Sequence, residues 1–169
     1  HNASRSRKKR QQVYQYMTET ESRFVLGNNH DATPSLVGHF LDAIRLMNLC
    51  PEGDLVRVGT ALSEAMINAI DHGNLELNSK MREGEDSHAY HDLGDQRKAQ
   101  EPYCHRRVFI TSRVSKEEAV FTIRDEGPGF DFDNVPDPTS PENLEKPNGR
   151  GVFLMRHLSD DLLLSKLNI

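Results

Sequence analysis

The sequence predicts a two-layer α/β sandwich, a mixed, largely antiparallel sheet covered on one face by helices. Three observations lead there. Apolar residues recur at helical spacing over 34–48, 51–73 and 150–158, a pair of period-two runs over 106–125 makes a hairpin, and a β-rich run precedes the first helix. A chain of 169 residues buries roughly two thirds of its unfolded surface, enough for one domain with a real core.

The elements follow in order. Residues 1–21 read as a basic, polar linker or helical lead ("RQQVYQYMTETE"). The run "RSRKKR" at 5–10 reads as a solvated arm, and His1 in place of Met marks an excised start, with an upstream domain expected before it. "SRFVLGNN" ends in turn formers and reads as the first strand. Leu36, Val37, Phe40, Leu41, Ile44 and Met47 then give a helix opened by Pro34. Leu55, Val58, Leu62, Ala65, Met66 and Ala69 form the apolar face of a longer one. Glu64, Asn68 and Asp71 fall in a narrow wedge on its opposite side.

Residues 75–105 read as a polar surface insertion of moderate mobility, with a helix around "DSHAYHDLGDQRKAQ" interrupted by Gly94 and closed by Pro102. "RRVFITSRV" and "EEAVFTIRD" form the hairpin. A proline- and glycine-rich loop, a lid over 131–148, then leads to the helical "GVFLMRHLSDD" and a closing strand "DLLLSKL".

A hydrophobic fraction of 36%, a charged fraction of 28% and a formal charge of −5 describe a soluble, mildly acidic protein with no bulk-electrostatic reason to hold nucleic acid directly. The longest apolar runs fall well short of the ~20 residues that span a membrane. Cys50 and Cys104 are isolated and read as reduced thiols, which places the protein in the cytoplasm. His88, His91 and His105 lie in the polar insertion without ligand cysteines and read as exposed side chains rather than a metal site.

Three motifs carry chemistry. The first is the stripe in "EAMINAIDHGN". The second, "DEGPGF", sets Asp125 at a strand end beside Gly127 and Gly129, where a flat ligand can approach the backbone and a carboxylate can accept from its amine. The third, "NGRGVFLM", places Gly149 and Gly151 at a helix N-terminus, where amides and Arg150 favour phosphate. His72 and Gly73 read as the helix C-terminal cap, with a place for His72 near the nucleotide as the secondary reading.

Together and in this order, over roughly residues 22–167, the motifs resemble the GHKL superfamily of ATP-binding domains, with its Bergerat fold, and within it the anti-sigma factor serine/threonine kinases. The resemblance implies ATP and Mg2+ as ligands, Asn68 on the metal, and Glu64 as general base toward a serine hydroxyl. It implies Asp125 on the adenine amine, Gly127 and Gly129 along the base, and Gly149, Arg150, Gly151 and Val152 at the phosphates. Lys146 reads equally as a phosphate contact or a solvated lid lysine. The implied partners are an anti-sigma factor antagonist and a sigma factor, with an upstream receiver domain and a homodimer as further expectations. The alternatives are a nucleotide-binding module that transfers no phosphate and a histidine-kinase-like ATPase domain. Glu64 favours the kinase, because a pure binder has no need of a carboxylate there.

Overall fold

The computed structural model describes residues 16–78 and 87–129. The lid at 131–148, the third motif with Lys146, Gly149, Arg150, Gly151 and Val152, the helix at 150–158 and the closing strand lie outside the described residues.

Strand β1 (Glu19–Leu26) pairs antiparallel with β2 (Val108–Ser115), which pairs antiparallel with β3 (Ala119–Arg124), giving the order β1-β2-β3. β1 starts inside the segment expected as a helical lead. From Glu19 onward exposure alternates residue by residue, and pairing with Ser115 gives the backbone a ladder that a lone polar helix lacks. Ser115 also shapes the hairpin turn, its Oγ accepting the amides of Glu117 at 3.2 Å and Glu118 at 3.1 Å.

Helices α1 (Thr33–Met47) and α2 (Glu52–Asn68) supply the other layer. The core joins Leu36, Phe40, Ile44 and Met47 of α1 and the predicted apolar face of α2 to Ile110, Val114, Phe121 and Ile123 of the sheet. Phe40 ties the layers, its ring centroid lying 5.7 Å from Phe24 and 5.2 Å from Phe121. Gly59 brings the helices together, for a Cβ there would sit 3.2 Å from Leu41 Cδ1.

The long helix does not keep one geometry to residue 73. After Asn68 it continues as a π-helical segment, Ala69–Asn74, with Leu75 N bonded to Ile70 O at 2.9 Å, the wider i to i+5 spacing. Each residue of a wider turn advances less around the axis. Asp71 therefore leaves the outward stripe and is buried.

The insertion carries helix α3 (Ser87–Ala99), which passes through Gly94 without a break, with Leu77 beside that glycine. Tyr90 of α3 reaches the core, and two arginines fix the segment where apolar residues are few. Arg97 Nη1 donates to the carbonyls of Leu75 at 2.6 Å and Glu76 at 2.7 Å. Arg106 Nη1 donates to Asn74 O and Glu76 Oε1, each at 2.7 Å. Both guanidinium groups lie 5.0 Å from the centre of the Tyr103 ring.

No helix among the described residues is long and apolar enough to cross a membrane.

Candidate functional site

Glu64 and Asn68 stand one turn apart on α2, about 6 Å along the axis, both half-buried. Among the described residues neither side chain has a hydrogen-bond partner. Asp71 differs on both counts: His30 Nε2 donates to it at 2.9 Å and the Tyr90 hydroxyl at 3.0 Å. Burial raises its pKa, but the bonds from His30 and Tyr90 and the charges of His30 and His72 outweigh that and hold the carboxyl below its ordinary value.

His72 lies in the last turn of the π segment, whose C-cap is Leu75, and its Nδ1 donates at 2.6 Å to Leu77 O beyond the segment, so it ties down the following turn and does not cap the helix carbonyls. Gly73 is not a cap in the left-handed sense. Its function is proximity: a Cβ on it would lie 2.6 Å from Asp125 Oδ1, so only glycine lets that carboxylate lie against the helix end.

Gly127 is constrained by the same contact, since a Cβ there would run into the Gly73 carbonyl. Its amide donates to Asp125 Oδ1 at 2.7 Å, which closes a tight turn and leaves Oδ2 without a partner among the described residues. Gly129 has φ of +79°, a left-handed conformation that glycine adopts freely. Gly73 and Gly127 thus keep the end of the long helix and the strand-end loop in contact, with one carboxylate oxygen unengaged among the described residues at their junction.

Two residues that the motif reading passed over hold this junction. Asn74, fully buried, accepts the amide of Glu126 on Oδ1 at 2.8 Å. Glu126 Oε2 in turn accepts the amide of Arg107 at 2.8 Å, pinning the loop to the approach to β2. The available signal was "HGN", a glycine–asparagine pair inside an apolar helical pattern, where neither residue favours helix.

The model of the histidine kinase-like ATPase domain matches residues 29–167. The chain belongs to the histidine kinase-like ATPase domain family. Neither the curated proteins nor the solved structures give a match. Membership implies an ATP-binding, regulatory role, and the residues of this ATPase domain suit such a ligand. Asp125 Oδ2 can accept from an amine, and the Asn68 amide carries a neutral oxygen of the kind magnesium accepts beside phosphate.

Proposed function

We propose that the chain is an ATP-dependent serine/threonine protein kinase of the anti-sigma factor type, which phosphorylates or sequesters a partner in transcriptional signalling. The observation that supports this reading is the half-buried carboxylate of Glu64, without a hydrogen-bond partner among the described residues, one turn from Asn68 on a face from which the π segment has withdrawn Asp71.

In this reading Asp125 accepts from the adenine amine, and Asn68 holds magnesium, which when bound neutralises charge on the phosphates. Glu64 takes the proton of the partner's serine hydroxyl as the serine oxygen bonds to the γ-phosphorus and the bond to the ADP oxygen breaks. Phosphoryl transfer asks mainly for positioning and charge neutralisation, so two correctly placed side chains on one rigid helix suffice. Gly149, Arg150, Gly151 and Val152, with Lys146 from the lid, complete the phosphate side. The partner is an antagonist domain bearing the serine, the sequestered protein a sigma factor, and the setting cytoplasmic.

Transfer of labelled phosphate from ATP to a serine-bearing antagonist domain tests the proposal. Glu64→Ala is expected to bind ATP as the wild type does while transfer falls by a factor of about 100 or more. Undiminished transfer in that variant would remove Glu64 as the base. Binding without transfer in the wild type would make the domain a nucleotide-responsive module.

A further inference from the structure

The amide of Asn74 is the middle member of a side-chain relay whose ends are both backbone groups. Asn74 Oδ1 accepts Glu126 N–H at 2.8 Å, Asn74 Nδ2 donates to Asn28 Oδ1 at 2.8 Å, and Asn28 Nδ2 donates to Tyr103 O at 2.7 Å. A backbone N–H at one end can only donate and a carbonyl at the other can only accept, so both amides have a fixed orientation. Flipping either would set like groups against each other in the interior.

The relay begins one residue from the point where nucleotide chemistry is expected. Gly73 gives Asp125 its resting surface, the next side chain along the chain captures the amide of Glu126, and Glu126 lies between Asp125 and Gly127. Helix end and loop are therefore locked in one register by a group with no exposed surface. The far end reaches Tyr103, whose ring carries Arg97 and Arg106, so the insertion and the turn after β1 bear on the same loop.

We propose that Asn74 is a positioning residue for base recognition: through Glu126 N–H it sets where Asp125 Oδ2 stands, and so selects adenine over guanine. The inference rests on the reading of Asp125 as the base anchor. Adenine presents an amine where guanine presents a carbonyl, so an acceptor held in place favours the first, and an acceptor released from place loses the distinction.

The test is titration calorimetry of the intact chain with ATP and with GTP, in magnesium, on wild type, Asn74→Ala, Asn28→Ala and Asp125→Asn, beside thermal melts. Asn74→Ala is expected to bind ATP about tenfold to a hundredfold more weakly, from loss of a buried hydrogen bond, with the ATP-to-GTP preference falling toward one. A purely structural asparagine would lower the melting temperature and leave the preference of the folded protein intact, which would overturn the proposal. Should Asn74→Ala fail to fold, Asn28→Ala decides. It frees the Asn74 amide and is expected to reduce the preference in the same direction by a smaller factor, and an unchanged preference overturns the proposal. Asp125→Asn separates the two layers of argument. A preference lost there but kept in Asn74→Ala sinks the role of Asn74 alone, whereas a preference kept in Asp125→Asn sinks the base anchor and this inference with it.

Discussion

Replacing Gly73 with alanine would put a methyl group 2.6 Å from Asp125 Oδ1, so the Asp125 side chain must shift. Gly73→Ala is expected to weaken ATP binding by about tenfold or more through displacement of Asp125, measurable by calorimetry; undiminished affinity would show that the contact is idle. Asp71 makes a prediction of a different kind. Its folded pKa lies below the ordinary value of 3.8, so the unfolded chain binds its proton more readily than the folded one. The carboxylate contributes stability that is fully present above about pH 4 and lost as pH falls through the depressed folded value. Asp71→Asn should therefore cost about 1–3 kcal/mol at neutral pH, with the gap to wild type shrinking below pH 4 in urea titrations. A gap constant from pH 7 to pH 3 would exclude it.

Element boundaries were legible where a periodic pattern met packing that used it. Leu36, Phe40 and Ile44 declare α1, Leu55, Val58 and Leu62 declare α2, and the alternation in "VFITSRV" and "AVFTIR" declares the hairpin, because each buries the face that its spacing marks. The π segment was not legible. Hydrophobic spacing reports which residues are apolar, not how many close a turn, and the change is visible only through Asp71, a charged residue drawn inward by His30 and Tyr90 from distant parts of the chain. The insertion was underestimated for a related reason: its docking depends on guanidinium-to-carbonyl bonds, which hydropathy does not register. Arg106→Met tests that clamp. Loss of its charged hydrogen bonds to Asn74 O and Glu76 is expected to cost about 2 kcal/mol in urea unfolding, and a cost near zero would mean that Arg97 alone holds the segment.

At the scale of the whole molecule, the layers exist to present one face of α2 beside the loop after β3. The core fixes α2 on the sheet, the π segment turns Asp71 in while Glu64 and Asn68 stay out, and the glycine contact brings Asp125 to the helix end. Asn68 and Asp125 stand out in the sequence through the motifs that carry the family resemblance, which implies magnesium for the one and the adenine amine for the other. Their relation in space was not readable, since it depends on Asn74 and Gly73, which carry no chemistry of their own. In the proposed function this arrangement holds ATP with magnesium on Asn68. Calorimetric titration of wild type and Asn68→Ala with ATP in magnesium tests it most directly. The wild type is expected to bind, with an affinity lower by about tenfold or more in the variant, whereas equal affinities would rule out magnesium on Asn68.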